Sequence, residues 1–305
     1  MSITLYFAKL NLVSDDLFEL YDSPKKKNAI KSALYKAINA NCIWEKENVF
    51  IDETGEPHST FIEYSTHILR TDSTYTYIEG WLYKKSKLYY KVLDSVTGQL
   101  VQKHIDNTEG IRFTVDVSHG FVGYNRSARF GYKDFIEAFV TLVNMGEEAN
   151  DYNYRYSIST CTSGINLNDI KQELKNIGRI RELRIRMQPP NPSDELLDEL
   201  QKRCDGVVKG FKDANVTELE LFYSNKGVGG INISSPFVDD RINDIQGLYS
   251  SLPVEESTKK GYVSIEATSV AGRKYSSGDE KPFRKIVDGL EDIFESCIDA
   301  FHQLK

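Results

Sequence analysis

The fold is decided by residues 75 to 93. They run Tyr75-Thr76-Tyr77-Ile78-Glu79-Gly80-Trp81-Leu82-Tyr83, then Lys84-Lys85-Ser86, then Lys87-Leu88-Tyr89-Tyr90-Lys91-Val92-Leu93. Aromatic and β-branched residues alternate with polar ones at the two-residue period of a strand, around a short polar cluster of hairpin length. The same signature extends on both sides, giving strands over 60–69, 75–83, 87–93, 99–105 and 111–117. The clusters at 84–86, 94–98 and 106–110 then read as turns. This part of the chain is expected to be an antiparallel meander.

Towards the N-terminus, Ile3, Leu5 and Phe7 alternate as in a half-buried strand. After Asp22-Ser23-Pro24, residues 25–41 place Ile30, Ala33, Leu34, Ala37 and Ile38 on one helical face. Beyond Val117 helices and strands alternate. A helix over 132–145 is followed by a strand at 154–161, then a helix capped by Asn166 or Asn168 that ends at Asn176. A strand at 181–187 precedes Pro189-Pro190-Asn191-Pro192, which breaks the chain ahead of a helix at 194–212. Strands at 217–223 and 262–270 alternate with helices at 237–252 and 282–304. The strands of this half carry polar residues on one face. The expected class is α+β: an N-terminal β-meander with one helix, then an alternating β/α half with helices on one face of a mixed sheet. The cut between a 1–150 domain and a 151–305 domain falls near Gly146–Asp151.

Composition narrows the function. The 305 residues are 40% hydrophobic and 27% charged, which fits a globular core and excludes a low-complexity chain. A net charge of −7 argues against coating nucleic acid over the whole surface, while leaving local basic patches open. No stretch approaches the roughly 18–20 apolar residues of a membrane span, and no secretory signal opens the chain, so a cytoplasmic protein without membrane insertion is expected. Cys42, Cys161, Cys204 and Cys297 are widely spaced and read as reduced thiols; the five histidines form no zinc motif. No cofactor is implied.

Four segments could carry binding chemistry. Gly120–Gly131 holds three glycines with Arg126 and Arg129 ahead of a helix that begins at Tyr132-Lys133, a physically sensible anion site or a solvated turn. Arg184 and Arg186 fall on the polar face of their strand. There they could meet a phosphate backbone, or pair with Glu218 and Glu220 on a neighbouring strand. Lys226-Gly227-Val228-Gly229-Gly230 lacks the ending of a phosphate-binding loop. Lys84, Lys85, Lys87 and Lys91 interleave with Tyr83, Tyr89 and Tyr90, the mixture that single-strand binding surfaces use; edge protection is the plainer account. The candidate nucleic-acid contacts are therefore Lys84, Lys85, Lys87, Arg126, Arg129, Lys133, Arg184 and Arg186. No catalytic constellation is evident: Asp239-Asp240 and Glu255-Glu256 are common surface features with no partner in the sequence pattern, and Glu266 with Lys274 lacks the spacing of a nuclease dyad.

The segment Arg181-Glu182-Leu183-Arg184-Ile185-Arg186-Met187-Gln188-Pro189-Pro190-Asn191-Pro192-Ser193-Asp194 leads into a helix, a Leu/Glu strand and then Gly261-Tyr262-Val263-Ser264-Ile265-Glu266-Ala267. In this order the chain resembles a bacterial phage-defence-associated family. It is similar in layout to prophage-exclusion proteins of the RexA type and, more distantly, to RdgC. The likeness covers roughly residues 111 to 285. It implies a non-enzymatic, homodimeric antiviral protein that binds DNA or a phage nucleoprotein and signals to a partner defence protein encoded nearby. It brings no catalytic residues. A protein-interaction subunit without nucleic-acid binding, and a nuclease or nucleotide hydrolase with a non-local site, are the alternatives.

Overall fold

A computed structural model describes residues 2–14, 24–51, 57–72, 74, 76–93, 95–188, 210, 213–248, 259 and 261–304. The Pro189–Pro192 break, Cys204, Glu255-Glu256 and nearly all of the expected 194–212 helix lie outside them.

The α+β class holds. An eight-stranded sheet contains β1 (Ile3–Leu12), β2 (Ile43–Ile51), β3 (Pro57–Thr71), β4 (Tyr77–Leu93), β5 (Leu100–Asp116), β6 (Phe121–Tyr124), β7 (Tyr156–Thr160) and β12 (Arg284–Val287). Its order is β12-β1-β6-β5-β4-β3-β2, with β7 also on β1. A four-stranded sheet runs β11-β10-β8-β9, from β8 (Ile180–Met187), β9 (Leu219–Ser224), β10 (Val263–Ser269) and β11 (Lys274–Ser276). Its pairings are all antiparallel, where a mixed sheet was expected. The helices are α1 (Pro24–Ile38), α2 (Tyr132–Ala149), α3 (Leu167–Asn176), α4 (Pro236–Leu248), the single turn α5 (Ser277–Glu280) and α6 (Ile293–Leu304).

β1 is buried on both faces rather than one. Tyr6, Ala8, Leu10 and Leu12 pack with α1 and α2 residues such as Leu34, Phe135 and Phe139. Leu5 and Phe7 meet Ile293, Cys297 and Phe301 of α6 on the other side. The expected 282–304 helix is shorter for the same reason. Arg284–Val287 instead extends along Ile3–Tyr6 as β12, where pairing with a central strand buries Val287, and the helix starts only at Ile293. β7 covers the remaining half of the same edge, Ala8–Leu12. Strands from beyond residue 150 thus complete the first sheet. In the second sheet α3 and α4 cover one face, with Ile170, Leu174, Val238 and Ile242 against Leu183, Ile185, Val263 and Ile265. Asn166 is the N-cap of α3, accepting from the Asp169 backbone N–H at 2.9 Å.

The meander differs from expectation in one respect that matters for function. Lys84–Ser86 and Asp106–Gly110 are not turns: β4 and β5 are continuous 17-residue strands paired from Tyr77↔Asp116 to Leu93↔Leu100. Polar side chains interrupt neither the alternation nor the ladder. β2 was not foreseen, because Glu45, Lys46 and Glu47 at its centre hide the alternation of Ile43, Val49 and Ile51.

α1 and α2 cross closely at Gly146, where an added Cβ would lie 2.2 Å from the Ala37 carbonyl oxygen. Gly146→Ala is expected to push the two helices apart and lose about 1–3 kcal/mol of stability, as overpacked cores do. Thermal unfolding of the variant checks this.

Candidate nucleic-acid interface

The unbroken β4 strand puts Glu79, Trp81, Tyr83, Lys85, Lys87, Tyr89 and Lys91 on one face of the sheet, because side chains alternate with a period of two. α6 covers only the start of that face; from Lys85 onward it is open, and Lys85, Lys87, Tyr89 and Lys91 are exposed. Trp81 and Tyr83 stack at 6.1 Å with their planes 11° apart. Gly110, across the ladder from Tyr83, makes this possible: a Cβ there would sit 3.0 Å from the indole and 3.3 Å from the Tyr83 ring. Arg112 lies opposite Trp81, with its guanidinium 5.9 Å from the Trp81 ring. Its Nε donates to Glu79 Oε1 at 2.8 Å, which fixes it under the indole. Further out Tyr89 meets His104 at 5.6 Å. Lys85 reaches Glu63 Oε1 at 2.6 Å on the neighbouring strand, whereas Lys87 has no side-chain partner among the described residues.

The structure brings Lys85 and Lys87 together on this face and sends the other expected contacts elsewhere. Lys84 points to the opposite face, where its ammonium bonds Asp134 at 2.5 Å and lies 5.7 Å from the Phe130 ring. Arg126 stacks 4.5 Å over Tyr6, and Arg129 is exposed on the same inner side as Lys84. Arg184 and Arg186 form cross-strand pairs with Glu220 at 2.6 Å and Glu218 at 3.2 Å. That is the ion-pairing alternative read from the sequence, and it leaves them engaged.

Lys133 and Arg186 both border a cleft of about 680 Å³ between the two sheets, with Glu137, Glu266, Lys274 and Asp279 among its other walls. Lys133 and Arg186 are each paired with a carboxylate. Lys133 is 3.4 Å from Asp279, whose carboxyl also accepts from the Tyr132 hydroxyl, and burial raises the Asp279 pKa. Glu266 and Lys274, separated in sequence by a turn, both border this wall. Their juxtaposition comes from the β10–β11 hairpin.

Cys161 and Cys297 are buried, and desolvation pushes both thiols up to about 12, far from a nucleophilic thiolate. Among the described residues no group of three or more His, Cys, Asp or Glu side chains gathers as a metal site would. No helix among them is long and apolar enough to cross a membrane. No family model matches the chain, and no curated protein shows significant similarity to it.

Sequence reading missed Trp81 as part of the surface. The signal was present: Trp81 and Tyr83 share parity with Lys85, Lys87 and Tyr89, but only if no turn falls at 84–86.

Proposed function

We propose that this chain is a non-enzymatic protein that binds single-stranded nucleic acid on the outer face of β4, in an antiviral role of the phage-exclusion kind. The observation that carries the binding is the one-sided array Trp81, Tyr83, Lys85, Lys87, Tyr89 and Lys91. Flat rings separated by ammonium groups along an extended strand match what a single strand offers: a π-face at every base and a phosphate between bases. Nothing in the array reads base edges, so the binding is sequence-independent. The antiviral setting, the dimeric state and the signalling partner are supported by the resemblance of residues 181–194 and 261–267 alone.

Tyr89→Ala is expected to weaken binding of an oligothymidylate by about 1–3 kcal/mol, the worth of one stacked base. Lys87→Ala is expected to lower the slope of log K against log salt by about 0.7, the loss of one phosphate contact to a single strand. Anisotropy titrations of the two variants check both. Arg184→Glu serves as the control and should leave affinity unchanged, because Arg184 already faces Glu220 on the other sheet.

A further inference from the structure

The aromatic and basic array on β4 runs beside an opening in the sheet. β3 and β4 are paired from Thr71↔Ile78 as far as Glu63↔Lys85, and there the pairing stops. Beyond that point β3 continues to Pro57 along β2, and β4 continues to Leu93 along β5. A cleft of about 650 Å³, the size of a small-ligand site, lies between the two hairpins. Its walls draw on both faces of the sheet: Phe61, Lys87 and Tyr89 from the outer set, Ile62, Ser86 and Leu88 from the inner one. Arg129 borders it on the inner side. Three cations, Lys84, Lys87 and Arg129, therefore stand against one carboxylate, Glu109, along its walls. Lys84 is held by Asp134 at 2.5 Å. Glu109 accepts from the Ser127 hydroxyl at 3.0 Å and from the Asn107 amide at 3.3 Å. Lys87 and Arg129 are both exposed and have no ion-pair partner among the described residues.

We infer that this cleft seats the terminal phosphomonoester of a nucleic-acid strand, so that a strand lying on the outer face is held by its end. The inference rests on the single-strand binding proposed above and adds which strands are preferred. Charge is the discriminator. An internal phosphodiester brings one negative charge, which a single lysine along the outer face meets. A terminal phosphomonoester carries about −1.5 to −2 at neutral pH and three acceptor oxygens, enough to engage Lys87 from the outer mouth and Arg129 from the inner one together. The guanidinium of Arg129 takes two of those oxygens at once through parallel N–H groups. Asn48 and Ser86 add an amide and a hydroxyl to the same walls, and Ile62 and Leu88 offer apolar surface to the last sugar and base. An end enters this position directly, whereas a continuous strand would have to cross the sheet between the hairpins and return. The same chemistry is offered by a 5′-phosphate and by a 3′-phosphate.

The test uses the full chain and an internally fluorescein-labelled oligothymidylate, displaced by unlabelled strands in anisotropy competition at low salt. The competitors are a strand with hydroxyls at both ends, the same strand with a 5′-phosphate, the same strand with a 3′-phosphate, and a hydroxyl-ended strand one nucleotide longer. The last adds a phosphodiester charge without a monoester. At least one phosphorylated strand is expected to compete about tenfold better than the hydroxyl-ended one, the worth of one hydrogen bond to a charged group, and the end preferred gives the polarity. The longer strand should show no such gain. Arg129→Ala, at an exposed side chain, should abolish the tenfold preference and leave the hydroxyl-ended strand unchanged. Equal competition by all four strands, an equal gain from the longer strand, or a phosphate gain that survives in Arg129→Ala would overturn the inference while leaving binding on the β4 face standing. If none of the strands binds the wild-type chain, the single-strand reading itself fails and the inference fails with it.

Discussion

Glu79→Ala is expected to lower the unfolding free energy by about 3–5 kcal/mol, the loss seen when one partner of a buried ion pair is removed. The Glu79 side chain is 0% exposed, and its two oxygens are divided between Arg112 Nε at 2.8 Å and Arg70 Nε at 2.7 Å. Arg112 is itself largely buried, with 18% of its side chain exposed, so removing the carboxylate strands a desolvated guanidinium. Arg70 lies 3.9 Å over the Phe294 ring of α6, and Arg112 lies beneath Trp81. Glu79 therefore joins the helix on the outer face to the base of the aromatic array. Glu79→Gln, which keeps the shape but not the charge, should fall between wild type and alanine. Urea denaturation gives the number, and a loss below about 1 kcal/mol, the range of surface ion pairs, would contradict this account.

Glu147→Gln should do the opposite and stabilise the protein at alkaline pH. Glu147 of α2 is fully buried, and among the described residues neither of its carboxyl oxygens has a hydrogen-bond partner; the Tyr156 hydroxyl, also buried, lacks one among them as well. Desolvation pushes the carboxyl from its ordinary 4.5 up to about 7, with Arg155 opposing the shift. The folded value is the higher one, so the acid is neutral in both states below 4.5 and contributes no pH dependence there. As pH rises from 4.5 to 7 the unfolded chain releases this proton while the folded chain keeps it, and stability falls. Above 7 the full penalty, about 3 kcal/mol, is in force. Glutamine is neutral throughout. The variant should thus match wild type near pH 4 and exceed it by about 3 kcal/mol at pH 8. A gain equal at both pH values would show that charge is not the cause.

Much of the fold was legible where local pattern and tertiary context agree. The α1 face of Ile30, Leu34 and Ile38, the alternation in β8, and the Glu218 and Glu220 partners of its arginines were all readable. What failed depended on partners distant in sequence. Arg284–Val287 has the composition of a helix start and becomes a strand only because β1 offers an edge. β1 looks half-buried until α6 arrives some 290 residues later. The surface suffered most from one local decision. Lys84-Lys85-Ser86 resembles a turn, and treating it as one loses the phase that aligns Trp81 and Tyr83 with Lys87 and Tyr89. The point where the β3–β4 ladder ends, at Glu63↔Lys85, was beyond reach of the sequence.

The most direct test of nucleic-acid binding on the β4 face is an anisotropy titration of labelled oligothymidylate at low and high salt. It would compare wild type with a Lys85→Glu/Lys87→Glu double variant whose folding is confirmed by circular dichroism. The array predicts binding that weakens steeply with salt and is lost in the folded double variant. Absence of binding by wild type at low salt, or equal binding by the double variant, would contradict it.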